Sequence, residues 1–232
     1  MRHTIHARAL ALSDEDIATV HARLFEHLHS FSKMCSYGVI PPAPRITGGN
    51  STAIGSLKGF LPKGMKGHVV YMFRRDAEIT SWSGDDWIQI EFRPSDQLCR
   101  DIVDDFVPHL IQAMNPYMVA VGDEKFDKPV ISPEGTIKVG GPRACGCKLH
   151  PVFYLAEWRL KQLYKTTIEE AVRVLRPLVQ RISIIEDGIY VAAAEGLVSF
   201  EEAREKVIQI EKSLEAAKPG LARFFRNLLK RN

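Results

Sequence analysis

The chain is short of the residues that announce a chemistry. Only four cysteines occur in 232 residues, Cys35, Cys99, Cys145 and Cys147. They are too few and too irregular for a disulfide framework, so a reducing compartment is expected. No run reaches the roughly 18 apolar residues of a membrane span. The start, Met1 to His6, has a base but no apolar signal core, which leads to the expectation of a cytoplasmic protein. There is no phosphate-binding loop: Gly140-Gly141-Pro142-Arg143 lacks the Lys-Ser/Thr that would follow, and the glycine spacing of a dinucleotide site is missing. No complete catalytic motif is present, and no cofactor is implied.

Bases are scarce in one place. Residues 76–127 carry twelve acids, Asp76, Glu78, Asp85, Asp86, Glu91, Asp96, Asp101, Asp104, Asp105, Asp123, Glu124 and Asp127. Only Arg93, Arg100 and Lys125 oppose them, for a local net charge of −9. The whole chain is +3, so the remainder is +12. Such segregation attracts a basic partner to one face by long-range electrostatics. The simpler reading is a solvated helix face and turn. Asp101, Asp104 and Asp105 lie within one helical turn, and Trp82 and Trp87 flank Asp85-Asp86. Aromatic anchors beside carboxylates are the composition of a hot spot for Arg or Lys. The candidate partner-binding residues are therefore Trp82, Asp85, Asp86, Trp87, Asp101, Asp104 and Asp105, and the partner expected is a protein with a basic surface rather than nucleic acid or a membrane.

The hydrophobic pattern predicts elements. Residues 4–12 alternate as a strand. Ser13 opens a helix carrying Ile17, Val20, Leu24 and Leu28, which ends near Ser30. Residues 36–67 are rich in Pro and Gly and read as a long loop with a short helix near 53–60. A meander follows, with strands at 69–73, 78–82 and 87–92. Ser95 or Asp96 starts a helix through Leu98, Ile102, Phe106 and Leu110, kinked by Pro108 and ended by Asn115-Pro116. Tyr117–Val121 is a strand. In the second half, 152–160 is a strand or short helix, and Thr166 and Thr167 cap a helix running to Val179. A hairpin turns at Asp187-Gly188, and a helix follows Ser199. The fold class expected is α+β: a mostly antiparallel sheet with helices packed on one face, in two consecutive similar halves. The halves are 1–128 and 152–232, joined by a Gly/Cys loop at 129–151.

Three further features have a bland and a sharp reading each. Cys145, Cys147 and His150 offer thiolate and imidazole ligands, or a thiol beside a base, but a structural zinc site needs four ligands. They carry the alternative function, an enzyme with a Cys/His site, possibly zinc-dependent, in the 140–150 loop. His21 shares a helix face with Val20, Leu24 and Leu28, which reads as a core histidine. The tail has Arg223, Arg226 and Lys230 opposite Leu221, Phe224, Phe225, Leu228 and Leu229, and no acid after Glu215. That basic amphipathic helix suits either docking on the domain or contact with a membrane or nucleic acid.

The run VVYMFRRDAEITSWSGDDWIQIEF and the helix ending DDFVPHLIQAMNPYMVAVGDEKF resemble immunity proteins of bacterial polymorphic-toxin and type VI secretion systems. There an antiparallel meander leads into a helix and then a strand entered through proline, as at Asn115-Pro116-Tyr117. The resemblance is one of element order across most of the chain. It implies a stoichiometric inhibitor that binds a cognate toxin, with no catalytic residues, and the acidic, Trp-bearing surface as its contact.

Overall fold

Alternation sets the first element. In His3–Leu10 (β1), Ile5, Ala7 and Ala9 are buried on one face. A computed structural model describes residues 2–12, 15–47, 51–73, 85–123, 149–195 and 200–217. Helix α1 (Ile17–Phe31) follows β1 and lays Val20, Leu24, Phe25 and Leu28 on that face. Each of Leu24, Phe25 and Leu28 contributes about 1.5–3 kcal/mol by leaving water. Asp16 caps α1, its carboxylate accepting from the Thr19 amide at 2.9 Å. The expected cap, Ser13, lies outside the described residues.

The segment read as a short helix near 53–60 is a strand, β2 (Thr52–Ser56), paired with β3 (Met65–Met72). Its alternating burial, with Ala53 inward and Ile54 outward, favours an extended edge over a helix. The strand expected at 78–82 lies outside the described residues. Strand β4 (Asp85–Phe92) returns to β1, matching Ile88 with Ala7 and Ile90 with Ile5.

Residues 96–114 form one helix in three parts. Ser95 caps α2 (Asp96–Asp101). A π-helical turn spans Ile102–Phe106, and α3 (Val107–Met114) completes it. Pro108 has no amide to donate and its ring crowds the preceding turn, so the widened turn just before it is the chain's accommodation. Asn115, at φ 47°, ends the helix. Strand β5 (Met118–Asp123) then pairs with β1 on one side and β6 (Val152–Ala156) on the other.

The second half runs β6, α4 (Glu157–Tyr164), α5 (Ile168–Leu175), β7 (Arg181–Ile185), β8 (Gly188–Ala192) and α6 (Phe200–Ala216). The segment expected as one strand or short helix at 152–160 divides into strand β6 and helix α4, and α5 stops at Leu175, short of the expected Val179. The sheet has eight antiparallel strands in the order β2-β3-β4-β1-β5-β6-β8-β7. The halves share a grammar: strand, helix, then a meander whose last strand returns to pair the first, then a helix. Within each half the helices lie on one face, and the halves use opposite faces. Val152, Tyr154, Tyr190 and Ala192 join the core under α1 and α3. Their neighbours Phe153, Leu155, Ile189 and Val191 join a second core with residues of α4, α5 and α6. The boundary expected at 129–151 falls mainly in residues 124–148, outside those described. Among the described residues no helix is long and apolar enough to cross a membrane.

Candidate functional site

The π-helical turn sits where the halves meet. Its Val103 carbonyl accepts a hydrogen bond from the Tyr190 hydroxyl of β8 at 2.7 Å. One residue on, Asp104 Oδ1 receives Arg181 of β7 at 2.6 Å. These ties draw helix 96–106 toward the β7–β8 hairpin. Between them lies a groove of about 610 Å³, lined by Asp96, Cys99, Arg100, Val103, Asp104, Gln180, Arg181, Ala192, Ala194 and Glu195. Three carboxylates line it against two guanidinium groups. The Asp104 and Arg181 side chains are 52% and 43% exposed, so water screens the pair and it contributes little stability, about 0–1 kcal/mol. Their charges are available at the surface.

Of the residues picked out from sequence, Asp104 lines this groove and Asp101 does not. Asp101 accepts from Gln97 Nε2 at 2.7 Å. Asp105, next to Asp104, points the other way. It accepts from the Ser32 hydroxyl at 2.7 Å and lies 3.8 Å from His109 Nε2, which holds the C-terminus of α1 against the helix.

Asp85 and Asp86 are buried, at 1% and 3% exposure. Asp85 accepts from the Tyr117 hydroxyl at 2.6 Å and lies 3.9 Å from Arg8. Asp86 accepts from the Met72 amide at 2.9 Å. Both carboxylates are engaged within the fold. Trp87 alternates with Ile88 and Ile90 onto the opposite sheet face, edge-on to His68 with ring centroids 4.9 Å apart. The sheet thus separates Trp87 from Asp101, Asp104 and Asp105, and Trp82 lies outside the described residues. Sequence proximity could not show this, because a strand sends neighbouring side chains to opposite faces.

A second hollow, about 340 Å³, opens at the end of α3. Glu15, Arg23, Tyr71, Asp86, Tyr117, Trp158 and Glu186 are among its lining. Beside it the Tyr117 ring packs 5.3 Å from Trp158 and under the fully buried Arg159.

Of the Cys/His alternative, His150 is buried at the entry to β6, and Cys145 and Cys147 lie outside the described residues. Burial pushes the Cys35 thiol up to about 12, so it has no thiolate to offer near neutral pH. Among the described residues no three His, Cys, Asp or Glu converge to hold a metal ion. The residues that sequence reasoning missed are Gln180, Arg181 and Glu195. No local motif marks them; only the hairpin's return beside helix 96–106 brings them to the groove.

No protein-family profile matches the chain, and no curated protein matches its sequence. Among solved structures it is similar to the Pseudomonas aeruginosa T6SS protein PA0821, with a TM-score of 0.52 and 9% identity, over 91% of this chain and 72% of that one. At that identity the likeness establishes a shared fold.

Proposed function

We propose that this chain is a stoichiometric protein inhibitor, an immunity protein, that binds and blocks a cognate bacterial toxin. The single observation that carries the reading is the groove at the junction of the halves, where Asp96, Asp104 and Glu195 outnumber Arg100 and Arg181. It is an exposed, charged concavity whose walls are fixed by packed elements, and it suits basic side chains of a protein partner. The fold shared with a T6SS protein supports the same direction. The contact surface proposed is narrower than the one read from sequence. Asp101 and Asp104 remain in it, Asp85 and Asp86 act inside the fold, and Trp87 belongs to another face.

The test is capture from lysate of the source cells on the immobilised chain, eluted with a salt gradient. A basic protein retained at equal stoichiometry, toxic when expressed alone and harmless beside this chain, supports the proposal. Reversing Asp101 and Asp104 to lysine should then slow association and flatten its salt dependence. Unchanged kinetics would move the contact elsewhere on the molecule.

A further inference from the structure

The open sheet has two edges, and β7 is one of them. Edge strands present a row of unpaired backbone donors and acceptors, which proteins normally blunt with proline, lysine or a bulge. Strand β7, Arg181-Ile182-Ser183-Ile184-Ile185, has no proline, lysine or bulge, and its single charge, Arg181, stands at its first position and is paired with Asp104. It pairs with β8 in continuous register from Arg181↔Ala192 to Ile185↔Gly188. No described residue hydrogen-bonds its outer backbone edge. Ile184 is 59% exposed. Ile182 packs on the core of α5 and α6, and Ile185 packs on the core of α1 and α3, so the strand is held from both sides while no described residue pairs its outer edge. Its first residue, Arg181, already lines the groove.

We infer that the partner adds an extended strand to β7 and delivers a basic side chain from that strand into the adjoining groove. The inference rests on the inhibitor reading for the identity of the partner, but not for the mode of binding. Main-chain hydrogen bonds to the open edge supply affinity, and alternate side chains supply specificity. Successive residues of an added strand point to opposite faces. On the helix 96–106 face, the added strand passes Arg181 and reaches Asp104, Asp96 and Glu195, where a basic residue meets carboxylates. On the other face it covers Ile184, which calls for an apolar residue. The occupant is therefore an extended segment of a protein partner, alternating apolar residues that cover Ile184 with basic residues that meet Asp104, Asp96 and Glu195.

Amide hydrogen exchange on the full-length chain tests the inference, first alone, then with the protein captured as above, then with a short synthetic peptide alternating valine, threonine and arginine. A peptide N-methylated at every second residue keeps the side chains and loses the donors of one edge. Outward amides among 181–185 should exchange fast in the free chain and become protected by the captured partner. Protection confined to other segments overturns the inference while leaving the inhibitor reading intact. If no toxic partner is captured, the inhibitor reading fails and the peptide decides: protection of 181–185 by the unmodified peptide alone supports strand addition, and its absence overturns it. Ile184→Lys, at an exposed site, should fold normally and weaken binding by about tenfold, the blunting seen at natural edges. A dimer of the free chain that Ile184→Lys dissolves would assign the edge to a second copy and overturn the inference.

Discussion

Tyr117 and Asp85 show how a single residue changes meaning between sequence and structure. Asp85 reads as an exposed acid in a Gly-Asp-Asp turn, yet it is buried and receives the Tyr117 hydroxyl. Hydrogen bonds to charged groups contribute about 1.5–3 kcal/mol. Tyr117→Phe should therefore lower unfolding free energy by about that amount, measured by urea denaturation at pH 7; an unchanged midpoint would show that Arg8 and the surrounding groups suffice. His21 was legible, because its place between Val20 and Leu24 on an apolar stripe predicts burial. Its Nε2–H donates to the Pro41 carbonyl at 2.9 Å, which leaves Nδ1 to accept from the Tyr71 hydroxyl at 3.0 Å. That is the neutral ring. Burial holds its pKa below the ordinary 6.5, the Pro41 hydrogen bond opposing in part. Burial and neighbouring His109 lower His27 as well. Below pH 6.5 the unfolded chain takes up protons that the folded chain resists, so this stability is complete above 6.5 and is lost as pH falls. Thermal melts should drop between pH 7.5 and 5.5. His21→Phe should reduce that drop, and an undiminished drop would exclude His21 as a cause.

At the scale of elements, strands and helices with their own periodicity were readable, and elements defined by their partners were not. The helix at 96–114 carries apolar residues at helical spacing and a proline, and from these both a helix and a disturbance at Pro108 are legible. The disturbance is a π-helical turn rather than a simple kink, and within that turn Val103 bonds Tyr190 and Asp104 bonds Arg181. Strand β2 was missed. Its few residues sit among prolines and glycines, and only pairing with β3 makes them a strand. The β7–β8 hairpin was visible from Asp187-Gly188, but the reason for glycine was not. A Cβ at Gly188 would lie 2.5 Å from the Leu155 carbonyl and 2.6 Å from the Tyr154 ring. Gly188→Ala should thus push β8 from β6 and cost about 1–3 kcal/mol, the scale of overpacking a fitted site. Equilibrium unfolding would check it, and wild-type stability would mean that the hairpin shifts freely.

The whole molecule is one sheet that changes its covered face midway. The α+β class and the repetition of the halves follow from element order, which a sequence displays. The swap of faces does not, because it depends on which side of β5 and β6 each helix crosses. The same limit applies to the site. An acidic stretch is visible as composition, but burial removes Asp85 and Asp86 from its surface and the sheet removes Trp87. Of that stretch, Asp104 lines the groove, with Arg181, Gln180 and Glu195 brought to it from more than seventy residues away. If that junction is the contact, its charges govern association more than folding, since the exposed Asp104–Arg181 pair contributes little stability. Asp104→Lys should leave the melting temperature within a few degrees of wild type while slowing partner association at low salt; a large loss of stability would make the pair structural instead.

Toxin inhibition is measured by the growth of cells expressing the protein captured on this chain, with and without the chain beside it, together with the mass of the complex. Arrested growth with the captured protein alone, restored growth on co-expression, and a one-to-one complex are expected. A captured protein harmless on its own, or no protein retained at equal stoichiometry, would contradict it.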